Sequence, residues 1–188
     1  MRTNKQCIIL VIFYWAFLIH GEIYADGRKC ILPEQDFKEF SDCIKRGNDG
    51  ELYLASKYFK KLSFGENGLA AVYSQEEGWM YVNRKGKVII TGVATMDNFA
   101  DVFHDGLVRF SKYKKWGFAD EKGKVIIPAI YDGALNFEKG LAKVCTGCRP
   151  ECAGSDCEHH SFAGGEWFYI NTKGEIVKKA ILKEGSYE

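Results

Sequence analysis

The sequence predicts an all-β, mainly antiparallel fold: three repeats of about three short strands built on β-hairpins, plus one short N-terminal helix. Three observations carry this expectation. Three segments share fixed internal offsets. Each holds a tetrapeptide suited to a hairpin turn. The composition, 14% aromatic with 20 glycines in 188 residues, favours strands joined by tight turns.

The offsets come first. Residues 77–91 (EGWMYVNRKGKVIIT), 115–128 (KWGFADEKGKVIIP) and 165–179 (GEWFYINTKGEIVKK) align without gaps. In each, a tryptophan stands four residues before Asn or Asp and seven before glycine. The sets are Trp79/Asn83/Gly86, Trp116/Asp120/Gly123 and Trp167/Asn171/Gly174. Constant offsets in three copies mark a repeat. The tetrapeptides NRKG, DEKG and NTKG suit a type I turn closed by a left-handed glycine. Asn or Asp caps such a turn with its side chain, and glycine takes positive φ without a Cβ clash. Period-two alternation puts Trp79 with Tyr81, Trp116 with Phe118 and Trp167 with Tyr169 on one strand face each, as core aromatics. The second strands, KVII twice and then EIVK, are β-branched.

A further strand precedes each hairpin. FGENGLAAVY (64–73), FHDGLVRF (103–110) and FEKGLAKV (137–144) share an aromatic residue, a glycine and a leucine. Their alternate positions are apolar, and Arg109 and Lys143 fall on the other face, so these strands read as half-buried.

The stretch 115–144, KWGFADEKGKVIIPAIYDGALNFEKGLAKV, resembles a WG repeat, a bacterial β-repeat named for its Trp-Gly pair. Trp116-Gly117 carries the signature; Trp79-Met80 and Trp167-Phe168 keep only the tryptophan. The resemblance spans about residues 58–179. It implies a β-repeat scaffold that acts as a binding or interaction module and not as an enzyme, and it brings no catalytic residues.

Residues 1–25 read as a signal peptide. Arg2 and Lys5 precede an unbroken apolar run from Cys7 to Ile19, too short to cross a bilayer, and Ala25 offers a cleavage site. Removal leaves 24 basic and 24 acidic residues from totals of 26 and 25, losing Arg2, Lys5 and Glu22. It also removes Cys7, leaving six cysteines of seven. An even number in an exported chain is the arithmetic of disulfides. The expected location is periplasmic or secreted, without stable membrane insertion after cleavage.

Residues 26–50 break the repeat. Pro33, Glu34 and Asp36 at one end, and Lys45, Arg46 and Gly47 at the other, carry helix start and stop signals over 33–47. Phe37, Phe40 and Ile44 make an apolar stripe. The expectation is a short helix capping the repeat stack, stapled by a Cys30–Cys43 bridge. The repeat domain then occupies 51–182, with units at about 58–94, 95–130 and 131–180.

The third unit carries an insertion. Glycine to tryptophan measures 11 residues from Gly68 to Trp79, 10 from Gly106 to Trp116 and 27 from Gly140 to Trp167. The extra residues lie within 145–166 and contain Cys145, Cys148, Cys152 and Cys157, followed by His159 and His160. Three chemistries fit. The cysteines can form disulfides, with Cys145–Cys148 and Cys152–Cys157 the preferred pairing. They can bind zinc together with His159. Cys145-Thr146-Gly147-Cys148 can act as a redox pair, although its βαβ context is missing. An exported location favours disulfides.

A neutral chain has no charge excess with which to hold a nucleic-acid backbone. Phosphate-binding, nucleophile-elbow and zinc-protease motifs are missing. The expected function is capture of another protein, through a sheet edge or the 145–166 insertion, without a cofactor. A structural or inhibitory envelope protein and a zinc or redox module are the alternatives. Oligomeric state is not readable.

Overall fold

The computed structural model describes residues 28–153 and 159–180. Twelve of its 17 strands fall into four units of three. The first unit is β1 (Arg28–Leu32), β2 (Lys38–Arg46) and β3 (Leu52–Leu54). The second is β4 (Leu69–Ser74), β5 (Gly78–Asn83) and β6 (Val88–Val93). A two-stranded hairpin, β7 (Thr95–Met96) and β8 (Phe99–Ala100), leads to the third unit, β9 (Leu107–Lys112), β10 (Lys115–Asp120) and β11 (Val125–Tyr131). The short β12 (Gly133–Ala134) follows. The fourth unit begins with β13 (Leu141–Thr146). The inserted β14 (Arg149–Ala153) and β15 (His159–Ala163) come next, and then β16 (Glu166–Asn171) and β17 (Ile176–Lys179).

The first three units form one nine-stranded sheet, ordered β11-β10-β9-β6-β5-β4-β1-β2-β3. The fourth unit forms a sheet β12-β13-β16-β17. All pairings are antiparallel. The long sheet curls back on itself: the Leu54 N–H donates to the Gly86 carbonyl at 2.8 Å, and Tyr53 bridges Lys87. This closes the first two units around Leu32, Ile44, Val72, Met80 and Val82, all fully buried.

The hairpin turns follow the chemistry read from the sequence. Asn83 Oδ1 accepts the Lys85 and Lys87 N–H groups, Asp120 Oδ1 those of Lys122 and Lys124, and Asn171 Oδ1 those of Lys173 and Glu175, all at 2.9–3.1 Å. Gly86, Gly123 and Gly174 have φ of 78°, 80° and 84°. Each turn also seats on the unit before it. A Cβ at Gly86 would lie 2.2 Å from the Phe59 ring, one at Gly123 would lie 2.4 Å from the Ile89 carbonyl, and one at Gly174 would touch the Ile127 side chain. At Gly86 and Gly123 glycine is thus demanded twice, by φ and by the neighbouring chain.

The expected helix over 33–47 is not formed, and this corrects the reading of the N-terminal segment. Pro33–Gln35 make one 3-10 turn. Asp36 and Phe37 then take positive φ, and the chain runs as the nine-residue strand β2. Helix-end signals contribute only tenths of a kcal/mol to about 1 kcal/mol each. β2 is instead paired along both edges, with β1 (Cys30 opposite Phe40) and with β3 (Ile44 opposite Leu54). It is also joined to β1 by the Cys30–Cys43 disulfide, with Cα atoms 5.6 Å apart. Tertiary pairing overrides the local preference.

This segment is a further copy of the repeat. Gly50 has φ of 80°, its N–H donates to the Gly47 carbonyl at 3.0 Å, and the Gly47 N–H donates to the Glu51 carbonyl at 2.7 Å. The Asn83–Gly86, Asp120–Gly123 and Asn171–Gly174 turns make the same pair of bonds. Cys43 stands seven residues before Gly50, where the other units place tryptophan. The turn begins with glycine, so a search keyed on Trp and Asn/Asp passes over it.

Candidate functional site

The insertion of the fourth unit is a hairpin, not a loop. β14 and β15 pair from Arg149–Ala163 to Ala153–His159. The hairpin stands where the second unit has the Ser74–Gly78 turn and the third has the Tyr113–Lys114 turn.

Its base is tied in three ways. Cys145, fully buried and opposite Trp167 on β13–β16, forms a disulfide with Cys148, with Cα atoms 6.0 Å apart. Phe162 on β15 sits between two repeat tryptophans, edge-on to Trp116 at 6.1 Å and to Trp167 at 6.3 Å. Asp132 accepts the Gly147 N–H through Oδ2 at 2.8 Å and the Lys115 ammonium through Oδ1 at 2.5 Å. Lys115 and the Gly147 N–H hold the Asp132 carboxyl below the usual carboxylate range. Two glycines admit this packing. A Cβ at Gly133 would lie 2.7 Å from both Cys145 Sγ and the Phe162 ring, and one at Gly165 would lie 2.4 Å from the Cys148 nitrogen.

Chemically, the base is a sealed disulfide. Sulfurs joined to each other offer no thiolate to a zinc ion and no nucleophile until reduced. Among the described residues no three His, Cys, Asp or Glu side chains cluster as a metal site. The preferred Cys152–Cys157 pairing lies outside the described residues, as do the side chains of His159 and His160 and the signal segment 1–25.

The repeat aromatics take different places. Trp79 and Tyr81 are buried between the second and third units, beside Val108 and Phe110. Phe118 is buried between the third and fourth, against Phe137, Val144 and Ile170. Trp116 and Tyr169 are half-buried, and Trp167 is buried over the Cys145–Cys148 disulfide. The three tryptophans thus fall in three different clusters and not in one shared core.

One buried joint escaped the sequence reading. Arg109, expected on the polar strand face, turns inward. Its Nε donates to Asp101 Oδ2 at 2.8 Å, and Asp101 is fully buried. Asn136 Nδ2 donates to Asp101 Oδ1 at 3.2 Å, Tyr81 donates its hydroxyl to the Asp101 carbonyl at 2.8 Å, and Arg109 also reaches the Ala134 carbonyl at 2.9 Å. The signal in the sequence was an aspartate, Asp101, set between apolar residues; its partners lie up to 35 residues away.

With this geometry in hand, residues 116–147 match the family model of the WG containing repeat. This segment of the chain is thus similar to a WG repeat. The match begins at the Trp116-Gly117 pair and ends at the disulfide turn, so β14 and β15 lie beyond it. No curated protein and no solved structure matches the chain.

Proposed function

We propose that this protein is an exported interaction module that captures another protein through the β14–β15 hairpin. The observation that carries the reading is the fixed base of that hairpin. A ribbon of two strands is marginal alone. Here a disulfide, the Phe162 wedge and Asp132 hold it to a rigid repeat stack, so it is presented in one orientation with little ordering left for binding to supply. Insertions on a regular repeat are where recognition is usually built.

The test is an intact chain against a variant in which residues 152–160 are replaced by Asn-Gly, which keeps Phe162 and the base, both used as bait on extracts of the producing cell. The variant is expected to melt within a few degrees of the intact chain and to lose about tenfold or more of the captured partner. Undiminished capture sinks the hairpin reading.

Export is the second half of the proposal. Two disulfides fit an oxidising compartment, and residues 1–25 have the pattern of a cleaved signal. Intact mass after alkylation, with and without reductant, is expected to show a chain beginning at Asp26 with protected cysteines. A full-length chain with every thiol free would contradict it.

A further inference from the structure

Two hairpin tips meet on one surface. The β1–β2 turn holds Asp36 and Phe37 at φ of 53° and 56°, and the β7–β8 turn holds Asp97 and Asn98 at 45° and 69°. Two successive left-handed residues suit Asn, Asp and Gly. Asp36, Asp97 and Asn98 fit that rule. Phe37 does not, and a bulky side chain there is strained.

The Phe37 ring lies 5.1 Å from that of Phe99. Phe99 stacks at 6.4 Å on Trp79, which is buried and meets Tyr73 edge-on at 5.3 Å. Met96 stands directly opposite Phe99 in the β7–β8 pair. An aromatic row therefore runs from the core to the surface and ends in Phe37, Met96 and Phe99, exposed by 45%, 45% and 48%. Single exposed apolar residues are ordinary; a connected group of them marks a contact surface.

The rim is acidic. Asp36 and Asp97 are exposed, and neither carboxylate has a hydrogen-bond or ion-pair partner among the described residues. The nearby bases are turned elsewhere: Lys38 over the Phe40 ring at 5.9 Å and Lys29 onto Glu39 at 2.8 Å.

We propose that Phe37, Met96 and Phe99, with Asp36 and Asp97, form a docking surface for an extended basic segment of a partner protein, in which apolar residues alternate with arginine or lysine. The phenyl rings cover the apolar side chains and the flat face of a guanidinium. The two free carboxylates supply the opposite charge. This surface is separate from the β14–β15 hairpin and stands or falls without it.

The test uses the full chain, isotope-labelled, and two synthetic peptides: leucine alternating with arginine, and leucine alternating with glutamate. The arginine peptide is expected to shift the amide signals of Asp36, Phe37, Met96 and Phe99, and the glutamate peptide to leave them in place. Phe37→Asn relieves the left-handed strain, so it should melt no lower than the original while binding the arginine peptide about tenfold or more weakly. Equal binding of both peptides, shifts elsewhere only, or full binding by Phe37→Asn would overturn the proposal. A lower melting temperature for Phe37→Asn would make Phe37 a packing residue. Dimerisation abolished by the same change would make a second copy the occupant, and either result also overturns it.

Discussion

Asp101 is a charged residue with no access to water, and its carboxylate is divided between Arg109 and Asn136. Breaking such a buried pair leaves an unpaired charge, so the joint is intolerant of change at either end. Tyr81 belongs to the same joint through its bond to the Asp101 carbonyl. Burial, with the Asp101 charge beside it, pushes the Tyr81 hydroxyl up to about 12 from its ordinary 10.0. The folded state thus holds this proton more tightly than the unfolded chain does. The linked stability is fully present below about pH 10 and is lost as pH rises towards about 12, a change on the order of 3 kcal/mol. Urea midpoints measured from about pH 9 to about pH 12 should therefore converge for the original chain and Tyr81→Phe. Curves that stay parallel would show that the hydroxyl titrates alike in both states.

At the scale of the element, the hairpin turn does two jobs. It reverses the chain within a unit, and it seats that unit on the one before. Gly50 and Gly123 separate the two. Both have φ of 80°, but a Cβ at Gly50 meets nothing within 4 Å, whereas one at Gly123 lies 2.4 Å from the Ile89 carbonyl. Gly50→Ala should cost only the left-handed backbone term, about 1 kcal/mol. Gly123→Ala should cost about 1–3 kcal/mol more, because backbone cannot move aside as a side chain does. Denaturant midpoints of the two variants give the difference directly, and equal losses would mean that the turns do not bear on their neighbours. The turns themselves were legible in the sequence: Asn83, Asp120 and Asn171 cap them as their spacing predicts. β2 was not. Phe37, Phe40 and Ile44 satisfy a helical stripe, while the residues that make 38–46 a strand, Cys30 before it and Leu54 after it, lie outside that window.

Across the whole molecule, the units are joined by packing between neighbours, as repeat proteins are. Trp79 and Tyr81 fill the second interface and Phe118 the third. The first interface is closed further, by Leu54 meeting Gly86 and curling the sheet shut. The insertion was legible as an excess of residues between Gly140 and Trp167, and Cys145–Cys148 as a close pair. That Phe162 would wedge between Trp116 and Trp167 was not, because the two tryptophans are brought together only by the stacking of units.

By itself, the sequence determined what pattern and turn chemistry carry: the strand periodicity, the capped turns, the repeat and the place of its insertion. These are local, since alternation and turn chemistry act through neighbouring dihedrals and bonds. Only the tertiary structure decided that the N-terminal segment is a further unit, that Arg109 points inward to Asp101, and that Phe37 rests on Phe99. The direction of Arg109 and the contact of Phe37 with Phe99 are set by how the units pack, where burial and pairing outweigh the smaller preferences of any single segment.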